Sequence, residues 1–446
     1  MSAGVLQERK NSIWSKEFGC SGDGSGISCE KESVSGAVSQ RACVYCGARV
    51  VLNPITDAYH IVHGPIGCAS YTWDIRGSLS SGSDIYRNSF STDLRERDII
   101  FGGAEKLRRA VEEIIAEKQP RLIFVYATCI VGVIGDDIEA VCREMEEKYP
   151  VRVIPVRAPG FSGTKSLGYK MACQAIMSLI RPHADKQAVR RGINILGDFN
   201  LAGEMWILKR YFKELGIPVL ATITGDASYD TLIQAPQAML NIVQCAGSST
   251  YLAKMMEDEF SIPFFKVSFF GVEDTSQSLL RVAQAMEDPE ILERAKKLIA
   301  REGRKAEDFL AKYRPQLEGR RAAIYVGGGF KAISLIRQFR EMGIKTVVVG
   351  TQTGKKEDYE VIRNLVEEDT IVLDDANPAE LEMFMREKAA NILVGGVKER
   401  PLAYKLGIAF CDHNHERKHA LGGYEGVINF TQEINLSINS PVWALL

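Results

Sequence analysis

Residues 120–161 read PRLIFVYATCIVGVIGDDIEAVCREMEEKYPVRVIPVRAPGF. A β-rich run, LIFVYA, gives way to DDIEAVCREMEEKYP, whose apolar residues recur at helical spacing, and then to a second β-rich run, VRVIPVRAP. This alternation is the signature of a parallel α/β unit, because parallel strands need a crossover helix between them. It recurs. GINILGDFN, IPVLATITGD, MLNIVQC and PFFKVSFFG make a second set, and RAAIYVGGGF, IKTVVVGTQTG, DTIVLDDAN, NILVGG and LGIAFCD a third. The expected fold is therefore α/β with three domains, each a mostly parallel sheet flanked by helices, over residues 41–187, 188–318 and 319–446. A charged helical stretch from Asp288 to Leu317 closes the second domain as a connector. Residues 1–40 include SGDGSGISCEKESVSGAVSQ, rich in Ser, Gly and Glu and without periodicity, and are expected to form a mobile N-terminal arm.

With 446 residues, 46% hydrophobic and 25% charged, the chain is long enough for several cores of a soluble globular protein. No run approaches the roughly 18 apolar residues that span a bilayer, and the opening MSAGVLQERKNSIWSKEFG has no apolar stretch of signal-peptide length. A cytoplasmic location is expected. The net charge of -2, with both signs interspersed, argues against nucleic acid or an anionic membrane as partner. Ten cysteines in a reducing compartment are candidates for metal or redox chemistry rather than disulfides, with buried filler as the plain alternative.

Ligands of open parallel sheets bind beyond the carboxyl ends of the strands. At those ends stand Cys129 after LIFVYAT, Cys245 after NIVQ, Gly327 to Gly329 after AAIYV, and Cys411 with His413 after LGIAF. A further lone cysteine, Cys68, sits in the Gly-Pro-Gly turn of HGPIGCASYTWDIRG, residues 63–77, where backbone N–H groups can approach an inorganic sulfide. Two other motifs compete. YVGGGFKA has the G-x-G-x-x-A outline of a dinucleotide site, but the next strand ends in Gly350-Thr351 with no acidic residue for a ribose hydroxyl. HERKHALGGYE, residues 415–425, fits the zinc-protease pattern, with Glu416 as base between His415 and His419 and Glu425 as third ligand. Arg417 and Lys418 would set two positive charges between those ligands, and no Met-turn follows. Cys43-x-x-Cys46 lacks the second ligand pair of a zinc ribbon, and Cys20 and Cys29 are too far apart for a knuckle.

RACVYCGARVVLNPITDAYHIVHGPIGCASYTWDIRG, YATCIVGVIGDDIEAVC, APGFSGTKSLG, NLAGEMW, FFKVSFFG, GTQTGKKEDYEVI and HNHERKHALGGYEGVINF together resemble the nitrogenase molybdenum-iron protein superfamily. Within it they look most like the E-type scaffold subunits of iron-molybdenum cofactor biosynthesis. The resemblance runs from about Arg41 to the C-terminus and implies the three-domain fold of that superfamily. It implies that Cys43, Cys68 and Cys129 ligate a 4Fe-4S cluster shared with a homologous β-like (N-type) subunit, which supplies the fourth thiolate in an α2β2 heterotetramer. Cys43 is then the ligand of the C-x-x-C pair, and Cys46 stands where the family usually has no thiol.

The resemblance also implies that Cys245 holds the end iron of the large cofactor or its precursor. The far end falls to His413 or to Asn414. Where catalytic α-subunits carry the glutamine and histidine of Q-S-L-G-H, this chain has Lys165 and Tyr169. That exchange removes the best proton donors near neutral pH and adds a cation suited to an anionic cluster. Arg76, Lys331 and Lys398 add further positive charge. The implied function is a scaffold that holds an iron-sulfur precursor while molybdenum and homocitrate are added. Its partners would be the nitrogenase iron protein, a precursor-cluster donor and the apo molybdenum-iron protein. The alternatives are a catalytic nitrogenase α-subunit and, more remotely, a zinc metalloprotease; any activity of the scaffold itself would be nitrogenase-like oxidoreduction.

Overall fold

The computed structural model describes residues 7–16, 19–20, 27–29, 42–72, 79–184, 190–414 and 416–445. They group into two compact units, one formed by Ala42–Met205 with Ile217–Lys266 and the other by Trp206–Gly216 and Val267–Leu446 with the N-terminal residues.

The first unit holds two four-stranded parallel sheets. One runs in the order Ser89–Ser91, Ala58–His63, Leu122–Ala127, Arg152–Arg157, the other Phe264–Lys266, Ala238–Val243, Arg190–Asp198, Val219–Thr224. Every residue of Leu122–Ala127 is buried. Leu122, Phe124 and Tyr126 enter one core, while Ile123, Val125 and Ala127 enter another. A strand covered on both faces reads as an unbroken apolar run, which is why LIFVYA lacks polar alternation. The helix Ile138–Lys148 that follows is started by Asp137, whose carboxylate accepts the Ala140 N–H at 3.0 Å, and it buries Ile138, Val141, Cys142 and Met145.

Helices Val44–Leu52 and Lys165–Ile180 cross at backbone contact. A Cβ on Gly47 would lie 2.2 Å from the Lys165 carbonyl oxygen, and one on Gly168 would lie 2.0 Å from that of Val44. Only glycine fits both positions, so these two residues set how closely Cys43 and Cys46 approach Lys165 and Tyr169.

The second unit is built on a seven-stranded sheet in the order Ala409–Asp412, Ile392–Gly395, Arg321–Val326, Lys345–Thr351, Ile371–Asp374, Ile13–Ser15, Gly19–Cys20. The first five strands are parallel and the last two add antiparallel. The mobile arm expected over residues 1–40 therefore does not hold for residues 7–16 and 19–20. Ile13 pairs with Leu373 and Trp14 with Val372, both side chains are buried, and Arg363 stacks over the Trp14 ring at 4.8 Å. Arg9 forms a buried ion pair with Glu380 at 3.0 Å. Two apolar residues and one arginine outweigh the polar composition around them. The stretch read as a connector is a helix, Pro289–Leu298, that passes through a π turn at Ile299–Gly303 into Arg304–Leu317, started by Asp288 accepting from Glu290 and Ile291. No helix among the described residues is long and apolar enough to cross a membrane.

Candidate functional site

Three of the predicted cysteines meet at the carboxyl edge of the first sheet. Cys43 is the residue before helix Val44–Leu52, Cys68 lies in the short helix Ile66–Tyr71 that follows strand Ala58–His63, and Cys129 opens the helix after strand Leu122–Ala127. Gly160, in the turn after strand Arg152–Arg157, joins them. Its N–H donates to Cys129 Sγ at 3.1 Å, and a Cβ built on it would stand 3.1 Å from that sulfur and 3.2 Å from Cys43 Cβ. All three thiols are half-buried. Burial pushes the Cys68 thiol up, and the nearby Cys129 and Cys43 thiols add to this against a Thr128 hydrogen bond. Bound iron would stabilise the Cys68 thiolate directly and so offset that shift.

Among the described residues no three His, Cys, Asp or Glu side chains converge on one metal ion. Cubane ligands need not converge, since each thiolate takes a different iron. The N–H donated to sulfur and the space left by Gly160 fit such a group, which Cys43, Cys68 and Cys129 would hold. Ile66 and Tyr71, which bound the Cys68 helix, are exposed, and so are Val133 and Phe161, at 72% and 64%.

Lys165 and Tyr169 share one side of helix Lys165–Ile180, the ammonium 5.9 Å from the ring centre. Burial raises the Tyr169 hydroxyl and the Cys245 and Cys46 thiols push it further, against the pull of Lys165. Burial would lower Lys165, and the negative charge that Tyr169 and Cys46 carry when ionised raises it, with the balance above its ordinary value. Cys46 thus belongs to the surroundings of Lys165 and Tyr169. Cys245 stands at the N-cap of helix Ala246–Phe260, a position that favours negative charge. It is packed on Gly197, which has φ +85° and where a Cβ would meet Cys245 Cβ at 2.8 Å. Neighbouring Gln244 is buried, with neither side-chain Oε1 nor Nε2 hydrogen-bonded among the described residues. Arg76 lies outside the described residues.

In the second unit His413 is fully buried, its ring against Phe270 and Phe430 at 5.2 and 5.4 Å. Neither ring nitrogen has a partner among the described residues, and burial followed by Lys331 and Arg417 pushes it far below its ordinary value, so it is neutral. A neutral imidazole with an orphaned nitrogen fits a metal-ligand role. Lys331 donates to the His413 carbonyl oxygen at 2.9 Å, fastening the loop, and Asn414 lies against Gly396, where a Cβ would sit 2.6 Å from its Nδ2.

Among the described residues the zinc-protease pattern does not assemble. His415 is outside the described residues, and residues 416–422 are not helical. Glu416 accepts from Arg400 at 3.0 Å, and Glu425 accepts from Arg210 and Tyr211. The glycines of YVGGGF form a strand-to-helix turn in which the Thr353 hydroxyl donates to the Gly327 carbonyl at 2.6 Å.

Sequence reasoning missed Gly160, Gly47 and Gly168, whose only signal is a glycine beside or within a helix, and Arg49, a charge on an otherwise apolar helix.

A fold of three mostly parallel sheets with thiols at the strand ends defines a class. The profile of the family described as "Nitrogenase component 1 type Oxidoreductase" matches residues 43–439, and the chain belongs to that family. It is 64% identical over 443 residues to the "Nitrogenase iron-molybdenum cofactor biosynthesis protein NifE" of Clostridium pasteurianum, covering 98% of this chain and 96% of that protein. To the protein of the same name from Methanosarcina barkeri it is 49% identical over 450 residues, covering 98% and 96%. The solved structure titled "Nitrogenase Cp1 at pH 5" superposes with a TM-score of 0.89 at 30% identity, covering 100% of this chain and 98% of that one.

Proposed function

We infer that this chain is the E-type scaffold of nitrogenase iron-molybdenum cofactor biosynthesis, a protein that holds an iron-sulfur precursor during maturation and delivers it to apo-nitrogenase. The observation that carries the reading is the pairing of Lys165 with Tyr169, Nζ 5.9 Å from the ring centre, where the resemblance places the glutamine and histidine of catalytic α-subunits. The precursor is cargo. Cys245 binds one of its irons, and Lys165 and Arg76 draw its negative charge; Lys331 and His413 or Asn414 are the further proposed cofactor-binding residues. Tyr169, held protonated by burial, donates a hydrogen bond rather than accepting charge.

Cys43, Cys68 and Cys129 hold a resident 4Fe-4S cluster, which supplies one-electron transfer when bound. An odd thiol count calls for a neighbour, and the exposed Ile66, Val133 and Phe161 beside these thiols suit burial against one. The partners that follow are a homologous N-type subunit in an α2β2 assembly, the nitrogenase iron protein, a precursor donor and the apo molybdenum-iron protein, in the cytoplasm. Molybdenum and homocitrate join the cargo during maturation. The three α/β stretches 41–187, 188–318 and 319–446 are the proposed domains.

The test uses the purified complex with iron protein, ATP, reductant, molybdate and homocitrate. It should activate apo-nitrogenase while making ammonia at no more than a trace rate, and Lys165→Ala should retain less precursor. Ammonia at about 1 per second or faster, typical of enzymes, would make this chain a catalytic α-subunit instead.

A further inference from the structure

Arg49 is 4% exposed, in the last turn of helix Val44–Leu52. Nη2 donates to Ser89 Oγ at 2.5 Å, but among the described residues Nε and Nη1 have no partner and no carboxylate pairs with the side chain. Among the described residues the groups it touches are uncharged, a serine hydroxyl and a tyrosine ring. Its guanidinium lies 5.6 Å from the centre of the Tyr126 ring; Tyr126 Oη bonds His60 Nδ1 at 2.9 Å, and burial and Arg49 together push His60 far below its ordinary value. A buried ion without a counter-charge costs several kcal/mol, so a chain that keeps one has an anion in its working state.

The connections from Arg49 lead toward the cysteines. Tyr126 meets Tyr45 edge-on at 5.7 Å, Tyr45 Oη bonds Thr72 Oγ1 at 2.8 Å, and Thr72 lies against the carbonyls of Cys68 and Ala69 at 3.4 and 3.2 Å. The helix that ends near Arg49 begins at Cys43. A cluster held by thiolates is an anion, and the local net charge sets its reduction potential. Charge acts across a dry interior without contact.

We propose that Arg49 is the buried counter-charge of the cluster held by Cys43, Cys68 and Cys129, a positioning residue that touches no iron yet raises the cluster's reduction potential and secures its retention. This rests on the assignment of those three thiols as ligands. It makes a reciprocal demand: without the cluster, Arg49 destabilises the fold.

The experiment compares Arg49→Met, Arg49→Gln and Arg49→Lys in the purified complex by iron content, by the midpoint of an EPR-monitored redox titration, and by denaturant unfolding after iron removal. Met and Gln should shift the midpoint to more negative potential, or lose the cluster, while Lys keeps the parent midpoint. Stripped of iron, the Met and Gln variants should unfold at the same or higher denaturant concentration than the parent. An unchanged midpoint in Met and Gln, cluster loss in all three variants, or iron-free neutral variants that are less stable or fail to fold would each overturn the proposal. Cys68→Ala serves as the control. Full iron there would refute the ligand assignment itself, whereas iron loss there with a parental midpoint in Arg49→Met would refute only the role of Arg49.

Discussion

Gly168→Ala tests the helix crossing on which the thiol arrangement depends. The new Cβ would stand 2.0 Å from the Val44 carbonyl oxygen, 2.7 Å from the Ala48 nitrogen and 2.8 Å from Gly47 Cα, all backbone atoms that cannot swing aside. Ordinary contact is near 3.4 Å, so helices Val44–Leu52 and Lys165–Ile180 must part by more than an ångström. Such overpacking costs about 1–3 kcal/mol, offset by up to ~1 kcal/mol because alanine favours a helix over glycine. A net loss of roughly 1–2 kcal/mol is expected, seen as a lower denaturant midpoint of the iron-free chain. Parting the helices also moves Cys43 and Cys46 relative to Lys165, so iron content should fall with stability. Gly247→Ala, in helix Ala246–Phe260 with nothing within 4 Å of the new Cβ, is the control and should not destabilise. A Gly168→Ala protein as stable as its parent, with full iron, would show that the crossing does not position the cysteines.

Glu399 is buried, its Oε2 accepts the Gly396 N–H at 2.8 Å, and burial pushes its carboxyl from 4.5 up to about 7. A folded-state value above the unfolded one means that the unfolded chain loses its proton first as pH rises. The native state is therefore favoured at low pH and loses roughly 3 kcal/mol between about pH 4.5 and 7. Glu399→Gln, which keeps an acceptor for Gly396, should match the parent near pH 4 and exceed it in stability at pH 8; an equal difference at both would contradict the assignment. Glu416→Gln should leave cofactor maturation intact, because that carboxylate is held by Arg400 outside any helix. Casein hydrolysis that disappears in this variant would establish a metalloprotease.

Most of the α/β strands could be read because they are buried apolar runs bounded by turns, as in LIFVYA and AAIYV, whereas Ala58–His63 and the short, half-buried Ser89–Ser91 were not read. The N-terminal strands Ile13–Ser15 and Gly19–Cys20 could not, since their stability comes from pairing Ile13 and Trp14 with residues more than 350 positions later. Cys129 announces itself as a thiol at a strand end and Cys68 as one in a Gly-Pro-Gly turn, whereas Cys43 stands out as a ligand only through the family resemblance. What brings them together is silent in one sequence: glycines at 47, 160 and 168 whose meaning is the atom their missing Cβ would strike. Arg49 reads as an ordinary surface charge until its burial is known. His413 was legible as a strand-end histidine, but its enclosure between Phe270 and Phe430 joins segments more than 140 residues apart.

Iron analysis and the anaerobic absorption spectrum of the complex, for the parent and for Cys68→Ala, test the central claim most directly. The account predicts an iron-sulfur chromophore in the parent and, in Cys68→Ala, the loss of about the iron of one small cluster per subunit pair, because a soft metal has lost its preferred ligand. Full iron and an unchanged spectrum in Cys68→Ala, or a parent that carries zinc and no iron, would contradict it.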